Sequence, residues 1–134
     1  PLVVLDGAHN AAGLASFRTS LQFHFGSPKA IGVVGMLGDK DVWSGARELA
    51  GVFDHLILTT APGSRGLPAL ELADVFSSEG VEVEDIEDDF WQAYEQAIRL
   101  GQKTNKPVFV TGSLYLVGAV LERLQMQDKE DIAE

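Results

Sequence analysis

Leu2-Val3-Val4-Leu5-Asp6-Gly7-Ala8-His9-Asn10 passes directly from an apolar, partly β-branched run into a polar glycine turn, and Ala11 to Phe23 follows with helical periodicity. A strand, a loop and a helix in that order form the first half of a parallel β-α-β unit. The same alternation recurs downstream. Strands are expected at Leu2 to Leu5, Ala30 to Val34, Leu56 to Thr59, Val81 to Val83 and Val108 to Thr111. Most of these are continuous apolar runs, as strands covered on both faces require. Amphipathic crossover helices are expected at Ala11 to Phe23 (Leu14, Phe17, Leu21, then Phe25), around Leu70, Ala73, Val75 and Phe76, at Asp89 to Leu100 (Phe90, Tyr94, Ala97, Ile98), and at Leu114 to Leu124 (Leu114, Val117, Val120, Leu121, Leu124). Each crossover should be right-handed. The predicted fold is a Rossmann-like, three-layer α/β/α domain with a mostly parallel sheet.

Composition agrees with one soluble globular unit. The 134 residues are 46% hydrophobic and 22% charged, enough apolar content to bury a core and too much for a disordered chain. Without cysteine there is no disulfide framework, thiolate metal site or thiol nucleophile, and three scattered histidines do not suggest an all-histidine zinc site. No apolar stretch approaches the roughly 18 residues of a membrane span, and none reads as a signal peptide. The chain carries 10 Lys+Arg and 20 Asp+Glu, a net charge of −10. Residues 1–66 balance five basic against five acidic side chains, so the remainder carries the whole excess. Such a surface repels nucleic-acid backbones and anionic lipid but leaves a neutral half for an anionic small ligand. Pro1 leads at once into the first strand, which reads as a domain excised from a longer chain: residues 1–126 form one domain, and 127–134 a polar tail.

The loops sort by composition. Those after strands one, two, three and five hold DGAHN (6–10), GMLGDKD (35–41), TAPGSRG (60–66) and TGS (111–113), all at the carboxyl edge where open α/β sheets bind ligands. Gly26-Ser27-Pro28 and Thr104 to Pro107 read as plain turns, and the six carboxylates within Glu82 to Asp89 as solvated surface. In DGAHN a carboxylate (Asp6), an imidazole (His9) and an amide (Asn10) sit beside a helix N-terminus, which favours anions. Asn10 reads first as the helix cap. Lys40 reads either as a solvated lysine or as an ammonium clamp for carboxylate or phosphate, Arg65 as a loop residue or a bidentate carboxylate ligand, and Ser113 as a cap or a ligand contact. His24 and His55 read as structural, and Trp43, Trp91 and Tyr94 as core or half-buried packing. Gly32, Gly35 and Gly38 only loosely match a dinucleotide-binding loop. There is no Walker loop and no serine-hydrolase elbow, so a self-contained ATPase is not expected.

DGAHN, MLGDKD, a Thr-rich loop with an arginine, and VTGSLYLVG (110–118), in that order along essentially the whole chain, resemble the C-terminal domain of the Mur ligase superfamily, and within it most resemble the bacterial folate-type glutamate ligases. Ala11 departs from the proline that commonly follows DGAHN. The resemblance implies an ATP-dependent amide ligase whose N-terminal ATPase domain holds the P-loop, Mg²⁺ and most of the folate site. ATP would activate a carboxylate of dihydropteroate or a reduced folate as an acyl phosphate, and the amine of L-glutamate would attack it. The first and fifth strands would then lie side by side. Asp6 and His9, with Asn10, would serve the nucleotide, His9 also lying near the reaction centre as the catalytic residue. Asp39, Lys40, Arg65, Ser113 and Tyr115 would contact the substrates. The isolated domain would be inactive, and the enzyme cytoplasmic, without nucleic-acid or membrane partners. A nicotinamide-binding oxidoreductase domain, a non-catalytic α/β binding domain and a murein-precursor ligase are the alternatives, the last disfavoured by VTGSLYLVG.

Overall fold

In the computed structural model, which describes residues 1–25 and 30–133, five strands alternate with five helices. In chain order they are β1 (Val3–Leu5), α1 (Ala11–Phe25), β2 (Ile31–Val34), α2 (Val42–Leu49), β3 (His55–Leu58), α3 (Ala69–Ser78), β4 (Asp85–Ile86), α4 (Phe90–Thr104), β5 (Val108–Thr111) and α5 (Leu114–Ala133). The strands form one sheet in the order β1-β5-β2-β3-β4, and every pairing is parallel. β5 therefore lies between β1 and β2, with Val3 opposite Val108 on one side and Ile31 opposite Val108 on the other.

Side-chain alternation along the strands divides the core in two. Val34, Leu56, Leu58 and Phe109 face α1, α2 and α3, meeting Leu14, Phe17, Leu49, Leu72 and Phe76. Ile31, Val33, Ile57, Val108 and Val110 face α4 and α5, meeting Trp91, Tyr94, Ala97, Leu116 and Val120. Three successive crossovers lie on one face; the chain reverses direction between β4 and β5, and same-handed crossovers then put α4 on the other. Gly32, in the middle of β2, makes room for a ring, since a Cβ there would lie 2.5 Å from Phe53. That contact is core packing, not the close approach to a pyrophosphate that a dinucleotide loop would require.

Three expectations need correction. β4 lies at Asp85–Ile86, not at Val81 to Val83: the two valines pack against the α3 side of the core, and pairing with β3 begins only where Glu84 N–H reaches the Leu56 carbonyl at 2.7 Å. α2 was not expected at all, yet Asp41 caps it and Ala46 and Leu49 give it a buried face. The helix expected over Leu114 to Leu124 continues to Ala133, so the polar residues from Gln127 onward lie on α5. Within the expected stripes, Leu70, Leu114 and Leu121 are exposed, Leu116 taking the buried place on α5, and Trp43 remains 45% exposed while Trp91 and Tyr94 are buried. His24 is exposed, its ring edge-on to Phe23. His55 is the structural histidine expected, lying between Lys106 and Glu84. The turn at 104–107 is present, with Asn105 in the left-handed region at φ 56°; Gly26-Ser27-Pro28 lies outside the described residues. No described helix is long and apolar enough to cross a membrane.

Candidate functional site

The strand order alone selects the site. β5 is followed by a helix on one face of the sheet while its neighbours β1 and β2 send their helices to the other, so clefts open on both sides of its carboxyl end. The loops meet there as the sequence anticipates. Asp6 N–H donates to the Val110 carbonyl at 2.9 Å, Gly112 N–H to the Ala8 carbonyl at 3.0 Å, and Gly35 N–H to the Thr111 carbonyl at 3.4 Å. Gly112 adopts φ 104°, and a Cβ there would lie 2.5 Å from the Gly35 carbonyl oxygen, so only glycine lets the three loops close on one another.

In the first loop every polar group has a defined state. Asp6 Oδ1 accepts from Ala8 N–H at 2.9 Å, which folds the turn and leaves Oδ2 for a ligand. His9 Nδ1 lies 3.1 Å from the Gly7 carbonyl oxygen, which can only accept, so Nδ1 carries the proton. Nε2 is left as the other ring nitrogen, an acceptor in neutral imidazole and a donor in imidazolium. Asn10 Oδ1 accepts from Gly13 N–H at 2.8 Å, so Asn10 caps α1 and its oxygen is already engaged.

A second group forms where the loops after β2 and β3 pair through an antiparallel bridge between Leu37 and Gly66. Arg65 donates from Nη2 at 2.6 Å and Nε at 3.0 Å to Oδ2 of Asp39, and its Cζ lies 5.9 Å from the centre of the Tyr115 ring. The guanidinium hydrogen bond holds the Asp39 carboxyl below the usual carboxylate range, and Asp39 in turn raises Arg65. Asp39 is thus engaged by Arg65, and the charge of the neighbouring Lys40 acts on it in the same direction. Lys40 is exposed, and its ammonium has no ion-pair partner among the described residues. Ser113 is fully buried and caps α5, its Oγ accepting from Tyr115 N–H at 3.1 Å and Leu116 N–H at 3.4 Å. Next to it the buried hydroxyl of Thr111 has no hydrogen-bond partner among the described residues, and nothing in a strand-end threonine signals this. The larger hollows, about 400 Å³ between α4 and α5 and about 500 Å³ beside Lys106, lie away from these loops.

Such a fold and edge define a Rossmann-like α/β domain whose polar loops gather at the carboxyl ends of a parallel sheet. The sequence matches the family model for the Mur ligase, glutamate ligase domain over residues 1–114, and the chain belongs to that family. It is 34% identical to a folylpolyglutamate synthase of Lacticaseibacillus casei over 92% of this chain and 27% of that protein. The structure of Mycobacterium tuberculosis folylpolyglutamate synthase complexed with ADP and AMPPCP superposes with a TM-score of 0.78 at 29% identity, over 88% of this chain and 28% of the other. Escherichia coli FolC in complex with DHPP and ADP gives a TM-score of 0.82 at 25% identity, over 94% and 29%. The chain spans less than a third of the length of these relatives.

Proposed function

We propose that this domain is the C-terminal half of an ATP-dependent ligase that joins L-glutamate to dihydropteroate, to reduced folates, or to both. The reading is carried by the convergence of DGAHN and TGS on the sheet edge, within a domain of the glutamate ligase family whose relatives include folylpolyglutamate synthases. The loops form an open surface, so the other wall of the cleft belongs to an N-terminal ATPase domain of the same chain. Closure of the two excludes water from a hydrolysable acyl phosphate and aligns the attacking amine.

The nucleotide fits the first loop. α1 spans 15 residues and its N-terminus, with Gly7 and Ala8 beside it, favours an anion at close range. Asp6 Oδ2 would bond the ribose, and His9 Nε2 would meet the phosphates or the glutamate amine, with Asn10 fixing the helix end that both depend on. ATP supplies the phosphoryl group that activates the carboxylate. On this reading, which follows the family resemblance, Mg²⁺ is held mainly by the N-terminal domain. Lys40, Arg65 and Tyr115 are the groups left to receive the substrates' carboxylates, Asp39 acting beside Arg65 and Ser113 supporting the turn. The enzyme belongs in the cytoplasm on this reading.

The test is phosphate release by the full-length protein with MgATP and dihydropteroate or a reduced folate, with and without L-glutamate. Release should require both substrates and fall at least ~100-fold in His9→Ala, a loss of ~2.7 kcal/mol. A folded parent that shows no glutamate-dependent release would overturn the folate reading.

A further inference from the structure

Three polar side chains are fully buried among the described residues: Thr59, Thr111 and Ser113. Thr59 donates to the Asp88 carbonyl at 3.3 Å and Ser113 caps α5, so both are satisfied. The Thr111 hydroxyl alone of the three has no partner. Valine has the same shape without a hydroxyl to desolvate, and it fills the matching place on β2, where Val34 lies opposite Thr111. Packing therefore does not explain the threonine, and a buried unpartnered group calls for a use.

Register places that hydroxyl beside the first loop. Thr111 stands between the two bonds that tie the loop to β5, Asp6 N–H to the Val110 carbonyl and Gly112 N–H to the Ala8 carbonyl. Leu5 is level with Val110, so Asp6 is level with Thr111 on the neighbouring strand, about 5 Å away across the pair. Both side chains take the α1 face of the sheet. Thr111 lies two residues beyond Phe109, which belongs to that core, and Asp6 lines one hollow with Val4, Phe17 and Phe109. One oxygen of Asp6 is engaged, Oδ1 accepting from Ala8 N–H. The Cβ–Cγ torsion of an aspartate is soft, so Oδ2 can turn toward the hydroxyl without moving the backbone.

We propose that Thr111 is a positioning residue for the nucleotide, its hydroxyl donating to Oδ2 of Asp6 once nucleotide binding has drawn that carboxylate into place. It touches Asp6 and not the ligand, from which its burial separates it. In the free domain the hydroxyl goes unpaired at a cost to stability; in the complex the bond is made, and binding recovers what folding loses. The proposal rests on the ligase reading above, in which Asp6 bonds the ribose, and adds the group that orients Asp6.

The experiment uses the full-length protein and measures, for each variant, thermal melting, ADP binding by calorimetry, and kcat with KM for ATP, L-glutamate and the folate substrate. Thr111→Val should melt at or above the wild-type temperature without nucleotide, yet bind ADP at least ~5-fold more weakly. Its KM for ATP should rise by a similar factor, with kcat and the other KM values within twofold. Thr111→Ser keeps the hydroxyl and should recover most of the ADP affinity. Asp6→Asn puts an amide nitrogen, which only donates, in the place of Oδ2, so Thr111→Val added to it should weaken ADP binding by less than twofold further. The proposal is overturned if Thr111→Val binds ADP within twofold of the wild type, or if its effect adds in full to that of Asp6→Asn. A lower melting temperature of Thr111→Val without nucleotide also overturns it, since the hydroxyl would then be bonded in the free protein. Failure of the ligase reading is recognised separately, as absence of glutamate-dependent phosphate release in the unmutated enzyme, because ADP binding is read without turnover.

Discussion

Replacing Gly112 with alanine tests whether the carboxyl edge is built as described. Three costs can be worked from the structure. Holding alanine near φ 104° costs about 1–2 kcal/mol. The new Cβ would stand 2.5 Å from the Gly35 carbonyl oxygen and 3.1 Å from Val34 Cγ1, and since the first of these is backbone, relief requires a shift of the β2 end, about 1–3 kcal/mol. The 3.0 Å bond from Gly112 N–H to Ala8 is stretched in that shift, about 1 kcal/mol more. The sum is about 3–6 kcal/mol, and at about 3–5 °C per kcal/mol for a domain of this size the melting temperature should fall by about 10–30 °C. Gly118 on α5 is the matched control: it is exposed, nothing lies within 4 Å of a Cβ there, and alanine should stabilise by ~0.5–1 kcal/mol through helix propensity. Thermal and urea unfolding of both variants are the assays. A Gly112→Ala protein melting within about 2 °C of wild type would refute the three-loop contact.

Two further outcomes follow from groups at the same edge. Thr111→Val removes a buried hydroxyl that has no partner and keeps the side-chain shape, so it should raise stability by ~1 kcal/mol; a fall in melting temperature would show that the hydroxyl is bonded after all. Asp41 is held below the usual carboxylate range by hydrogen bonds from the Ser44 side chain and backbone. A pKa lowered on folding stabilises at neutral pH and is lost as pH falls below ~4 through the folded value. The wild type should therefore out-melt Asp41→Asn at pH 7 by a margin that closes on acidification, and a margin that widens would contradict this cause.

Legibility from sequence followed the range of the interactions. β2 and β5 are unbroken apolar runs because they are buried on both faces, and they were readable to within a residue. β4 was misplaced because only two of its residues pair with β3, while the more apolar Val81 and Val83 serve the core without pairing. α2 carries a signal that was passed over: Val42, Ala46 and Leu49 recur at helical spacing behind Asp41, in a segment of only eight residues. DGAHN was legible because its bonds stay within three residues. Asp39 with Arg65 was not, since 26 residues separate them and only pairing of the loops after β2 and β3 brings them together.

The position of β5 bears on how the chain comes to be folded. The last of the described strands to be made is the one that inserts between the two made first. Until Val108 to Thr111 arrives, β1 has no partner among the described strands and β2 only β3, so the earliest segments wait for contacts about a hundred residues away. Such non-local pairing slows folding and lengthens the exposure of unpaired strand edges. A chain interrupted before β5 would lack the strand that joins DGAHN to the rest of the sheet, so a nascent or truncated copy would not assemble the carboxyl edge.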